Sequence, residues 1–195
     1  MKFLIATKNT HKLIEIKRIL TPMGIEVISV DDLKNGLKDV EENGKSFEEN
    51  ALIKARNGCN ETGYVTVADD SGICVDALSG APGIFSARFA GEPCDDEANN
   101  RKLLNLLKDI DDGERTAKYV AVIACVFPDG REFTVRGECH GIIAKEPKGS
   151  NGFGYDPLFI SELGCFGEVS SEIKDSISHR HNALIKFSEK LKEYI

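Results

Sequence analysis

The chain has 195 residues, 41% of them hydrophobic and 29% charged. That is enough for one sizeable core and too few to promise two independent domains, so one unit over residues 1–195 is expected. A net charge of −7, from 32 acidic against 25 basic residues, argues against nucleic acid as the main partner and leaves room for a small anion in a locally basic cleft. The six cysteines form no C-x-x-C pair and read as reduced thiols rather than zinc ligands or disulfides. The start of the chain has no signal-peptide pattern, and no apolar run approaches the roughly 20 residues of a membrane span. A soluble, cytoplasmic protein with no membrane partner is expected.

The run KFLIA (2–6) reads as a buried strand, and Leu13, Ile16, Ile19 and Leu20 then repeat at helical spacing until Thr21, Pro22 and Gly24 stop the helix. IEVISV (25–30) alternates as a strand does, which makes a βαβ-like start. After an acidic irregular stretch, Ser46 and Glu49 form the two ends of a capping box, and Phe47, Ala51, Ala55 and Cys59 mark one helix face. YVTVA (64–68) is a strand that runs into Asp69-Asp70-Ser71-Gly72, with ICVDAL continuing beyond and a Gly/Pro loop after it. Residues 95–110 read as a helix through Leu103, Leu107 and Ile110. KYVAVIACVF and REFTVRGECHG flank Pro-Asp-Gly and make a β-hairpin signal. GIIAKEP is a further strand or strand end, KGSNGFGYDP a glycine-rich loop, LFI a short strand, and the last helix starts near His179.

Gly44-Lys45-Ser46 imitates the end of a Walker A motif, but Asp39 stands where that motif needs its first glycine, so Ser46 is read as a cap. The loop Thr7-Lys8-Asn9-Thr10-His11-Lys12 supports two readings. It is either a solvated turn capped by Asn9 or Thr10, or a phosphate site built from Thr7, Asn9, Lys12 and a helix N-terminus. Asp69 and Asp70 follow an apolar strand and point to opposite sides of it, so they suit either a capped turn or a Mg²⁺ and substrate site. Glu41 and Glu42 could complete that site or form a surface charge run. Phe153 and Tyr155 sit in a glycine loop that either tucks an aromatic into the core or lays one against a flat base. Lys174, His179, Arg180 and His181 gather basic charge at a helix start, against the helix dipole, and that local conflict points to function.

Together these parts match what a nucleoside triphosphate and its metal require. In FLIATKNTHKLIEIKRIL, FEENALIKAR, ADDSGICVDALSGAPGIFSARFAG, GSNGFGYDPLF and KDSISHRHNAL the chain resembles the Ham1-like inosine triphosphate pyrophosphatases over nearly its whole length. It departs at Asn151, where a glycine is usual, and at His181, where a small residue is usual. The resemblance implies an α/β fold with an elongated mixed sheet flanked by helices, in two lobes with a cleft, and a homodimer. It also implies Mg²⁺-dependent cleavage of ITP, dITP and XTP to the monophosphate and pyrophosphate, which keeps deaminated purines out of DNA and RNA. By motif position Asp70 would be metal ligand or general base and Glu41 the second ligand. Thr7, Asn9 and Lys12 would hold phosphates and Lys54 would add a charge, Lys8, Thr10 and His11 would belong to the same substrate-binding loop without an assigned contact, and Ser71 would touch substrate. Phe153, Gly154, Tyr155 and Asp156 would cradle base and sugar under Lys174, His179 and Arg180. A nucleotide-sensing protein that binds without hydrolysis is the alternative.

Overall fold

The computed structural model describes all 195 residues. Its seven strands form one sheet in the order β2-β1-β3-β4-β5-β6-β7. β1 (Lys2–Ile5) pairs in parallel with β2 (Glu26–Ser29) and with β3 (Val65–Val75). β4 (Thr116–Val126) and β5 (Glu132–Ile143) are joined by a tight turn, in which the Gly130 N–H donates to the Phe127 carbonyl at 3.0 Å. β6 (Phe159–Ser161) and β7 (Gly164–Cys165) add antiparallel ladders. The helices are α1 (Thr10–Leu20), α2 (Phe47–Thr62), α3 (Asp96–Leu106), α4 (Ser171–Ile177) and α5 (His179–Leu191).

The chain divides into two compact units. Unit 1 holds Met1–Asp70, Ala121–Gly137 and His181–Ile195, and unit 2 holds Ser71–Val120 and Glu138–Arg180. In unit 1, Phe3, Ile5 and Val67 pack with Ile16 and Leu20 of α1 and with Leu184, Phe187 and Leu191 of α5. Strand residues alternate between faces, so Leu4 and Thr66 meet the other helix, α2, where a Cβ on Gly58 would stand 2.8 Å from Thr66 Cγ2. Unit 2 is built on Ile73, Leu103, Leu107, Ala117, Tyr119, Ile143, Phe159 and Phe166. Arg115, 3% exposed, spends its guanidinium on the carbonyls of Leu107, Ile143 and Ala144, which leaves those buried groups paired.

Several elements differ from the sequence expectation. Asp69-Asp70-Ser71-Gly72 does not end a strand; β3 runs through it to Val75. Position 72 of the strand has to be glycine, because a Cβ there would lie 2.4 Å from the Gly83 carbonyl oxygen. The third helix stops at Leu106 rather than 110, and α4 and β7 carry too little apolar periodicity over 7 and 2 residues to be legible in the sequence. Ser46 caps α2 as expected, accepting from the Glu49 N–H at 3.1 Å, but the Glu49 carboxylate accepts from Lys45 N–H at 2.6 Å instead of closing a reciprocal box.

Candidate active site

The chain leaves β1 through Ala6, Thr7 and Lys8 and enters α1 with Asn9 as N-cap, its side-chain oxygen accepting from Lys12 N–H at 3.2 Å. The Asn9 N–H in turn donates to Thr7 Oγ1 at 3.1 Å, so both polar side chains shape the turn that opens the helix. A cavity of about 270 Å³ lies against this turn, lined by Thr7, Lys8, Lys12, Glu42, Lys54 and Asp69 among others. Thr10 and His11 are exposed on α1 and do not line it, nor does Asn9.

Alternation along β3 sends the two aspartates apart, and each meets a lysine from the helix on its own face. Lys12 Nζ of α1 lies 2.8 Å from Asp69 Oδ1, whose side chain is wholly buried. Lys54 Nζ of α2 lies 3.1 Å from Asp70 Oδ1 and 2.9 Å from Glu42 Oε2. Asn50, one helical turn before Lys54, is 1% exposed and bridges Asp70 Oδ2 at 3.4 Å to the backbone N–H of Gly44 at 2.9 Å. Asn50 escapes a reading of the sequence, although its place four residues before Lys54 puts it on the same helix face. Glu41 is exposed and outside the cavity lining, whereas its neighbour Glu42 faces the cavity.

Burial pushes the Asp70 carboxyl above its ordinary value, Glu42 adds to the rise, and Lys54 and Lys12 only partly offset it. Burial also works against the charge on Lys54, but Asp70, Asp69 and Glu42 outweigh it and hold the ammonium above the usual lysine value. Glu42 and Asp70 thus converge on the Lys54 ammonium, and their carboxylates are hard oxygen donors of the kind Mg²⁺ takes, although no third acidic, cysteine or histidine side chain joins them.

The second group of expected residues lies in unit 2. Asp156, 2% exposed, accepts from Lys174 Nζ at 2.5 Å and from Phe153 N–H at 2.9 Å, and Lys174 Nζ stands 4.7 Å from the Phe153 ring centroid. Gly154 is clamped by α3, its N–H donating to Asp96 Oδ2 at 2.7 Å and its carbonyl accepting from Asn100 Nδ2 at 2.9 Å. Tyr155 turns inward and donates to the Ser86 carbonyl at 2.7 Å, so its ring supports the loop from below. His179 stacks on Tyr119 at 4.7 Å, and Arg180 Nη2 donates to Ser71 Oγ at 3.3 Å. Phe153, Asp156 and Lys174 are therefore in direct contact, while His179 joins them through Tyr119, a residue that sequence reasoning leaves among ordinary strand aromatics.

A cavity with lysines at a strand-to-helix turn, with buried carboxylates paired to lysines beside it, fits an α/β protein that takes a phosphate-bearing anion. The comparisons give the family. The Ham1 family model matches residues 3–190, and the chain belongs to that family. It is 49% identical over 191 residues to a dITP/XTP pyrophosphatase of Desulforamulus reducens, covering 97% of this chain and 94% of the relative. It is 43% identical over 194 residues to the dITP/XTP pyrophosphatase of Bacillus cereus strain ATCC 14579, covering 97% and 94%. Among solved structures, the Staphylococcus aureus Ham1 protein superposes with a TM-score of 0.91 at 39% identity over 100% of both chains, and a Coxiella burnetii HAM1 protein with 0.91 at 38% over 99% of both.

Proposed function

We propose that this protein is a nucleoside triphosphate pyrophosphohydrolase that converts dITP, ITP and XTP to the monophosphate and pyrophosphate, removing deaminated purines from the nucleotide pool. The observation that carries the reading is the buried pair Asp69–Asp70, each aspartate matched to its own lysine beside the α1 turn. Family membership and the activity for which its relatives are named support the same reaction.

Hydrolysis of a phosphoanhydride needs charge neutralisation and an aligned water, and no covalent nucleophile. Lys12 and Lys54 supply fixed positive charge for the triphosphate, and the backbone N–H groups that open α1 add dipoles of the same sign. Asp70, whose burial makes it a stronger base than an ordinary aspartate, accepts the proton of the attacking water. Mg²⁺ would be held by Asp70 with Glu42, the one of the two adjacent glutamates that faces the cavity, and when bound it would neutralise phosphate charge and favour departure of pyrophosphate. Base choice rests on Lys174, His179 and Arg180. Hypoxanthine and xanthine carry an acceptor at position 6 where adenine carries an amino donor, so donors at that edge favour the first two and leave ATP with an unmatched pair. The working protein is a cytoplasmic homodimer.

A nucleotide panel scored for pyrophosphate release, with and without Mg²⁺, tests the proposal. Release from dITP, ITP and XTP should exceed release from ATP by at least about 100-fold, as expected when a buried hydrogen-bonding edge is mismatched, and should stop with chelator. Equal turnover of ATP would remove the specificity, and binding of dITP without release would make the protein a sensor rather than a hydrolase.

A further inference from the structure

The loop expected to cradle the base is wound around a single carboxylate. Asp156 Oδ2 takes the Phe153 N–H and the Lys174 ammonium, and a Cβ on Gly152 would fall 2.0 Å from that oxygen, so chain and carboxylate are in close contact. The other oxygen, Oδ1, is reached from the sheet by the hydroxyl of Tyr119, which donates at 3.2 Å. Tyr119 is 7% exposed on β4, and its ring is tilted against Phe159 at 4.7 Å. The His179 imidazole is stacked on the same ring at 4.7 Å with an interplanar angle of 11°. Burial, with Asp156 beside it, pushes the phenol well above its usual range, so it stays a neutral donor at any working pH.

We propose that Tyr119 is a positioning residue for base recognition, one rigid strand side chain that holds the Gly152–Asp156 loop by its hydroxyl and the start of α5 by its ring. The inference rests on the base-reading role given above to Phe153, Lys174 and His179. Tyr119 itself touches neither phosphate nor reacting atoms, so its loss acts on where those groups stand. Without the hydroxyl, Asp156 Oδ1 loses this donor in a buried place, and the carboxylate is drawn toward Lys174 and away from the geometry that sets Phe153.

Tyr119→Phe keeps the ring and its stacking and removes one oxygen. The full-length variant is compared with the unaltered protein for dITP turnover, for dITP binding by calorimetry, and for binding of inorganic tripolyphosphate, which has no base. The expected result is a loss of about tenfold in dITP affinity and a matching rise in KM, with kcat within about twofold, the size set by one buried hydrogen bond. Tripolyphosphate affinity should stay nearly the same, and the melting temperature should fall by no more than a few degrees, the cost of one buried carboxylate oxygen losing this donor. Unchanged dITP affinity would overturn the proposal, and so would an equal fall for dITP and tripolyphosphate, which would mark a general loss of structure. Failure of the unaltered protein to release pyrophosphate would sink the hydrolase reading alone. In that case dITP binding still decides the role of Tyr119, a selective fall supporting it and equality overturning it.

Discussion

Asp70 is ionised at a cost, because its burial raises its pKa above the ordinary 3.8. The folded state then holds the proton more tightly than the unfolded chain does, so stability declines as pH rises from the unfolded pKa through the folded one, and the deficit persists at neutral pH. Asp70→Asn should therefore abolish turnover and raise the melting temperature at pH 7 without added metal, by roughly 2–4 °C per kcal/mol relieved in a chain of this length. The gain should vanish near pH 3, and a melting scan against pH checks it. Asp69 follows a different rule, since its wholly buried side chain is neutralised by Lys12 at 2.8 Å. Lys12→Met should cost about 3 kcal/mol in denaturant unfolding, because it removes one partner of a buried pair. Lys8→Met should cost less than about 1 kcal/mol, since Lys8 and Asp39 form an exposed pair, with side chains 66% and 86% accessible.

At the scale of elements, β3 does two jobs with one alternation. Odd positions such as Val67 join the core under α1 and α5, and a following even position carries Asp70 to α2. The glycine loop before β6 is held by Asp156, and Gly152 sits at φ +76 with no room for a side chain beside that carboxylate. Gly152→Ala should strain the left-handed backbone and displace Asp156, lowering dITP affinity by about tenfold or more. Tripolyphosphate affinity, which depends on lysines of unit 1, should change little. Paired calorimetric titrations with the two ligands read that contrast.

For the whole molecule, a net charge of −7 surrounds a cavity where Lys8, Lys12, Lys38 and Lys54 stand among Asp39, Glu42 and Asp69, so basic charge is confined to this one place and suits a small ligand rather than a polyanion. No helix is long and apolar enough to cross a membrane. Each of the two units has a hydrophobic cluster of its own, although the chain is short enough to suggest a single core. The proposed homodimer predicts a sedimenting mass about twice the 21.4 kDa of one chain at micromolar concentration. A mass that stays at one chain across the concentration range would rule the dimer out.

Local chemistry is legible in the order of residues alone. The 3.6-residue period of Leu13, Ile16, Ile19 and Leu20, the Ser46 cap and the hairpin turn at Pro128-Asp129-Gly130 are decided within a few residues, and they appear in α1, α2 and the β4–β5 connection. The opposite facing of Asp69 and Asp70 also follows from strand alternation, as does the Ham1 resemblance from the order of five motifs. Partnership is another matter, since contacts such as Lys12 with Asp69, Asn50 with Asp70 and Tyr119 with Asp156 and His179 join residues 20 or more positions apart. The continuation of β3 through Asp69-Asp70-Ser71-Gly72 is likewise hidden, because pairing with neighbouring strands of the sheet overrides local turn preference there. Sequence by itself determined which chemical groups the protein carries and which way each strand residue faces. Only the tertiary structure decided which charge is neutralised by which, because desolvation and pairing depend on what long-range packing brings within about 3 Å.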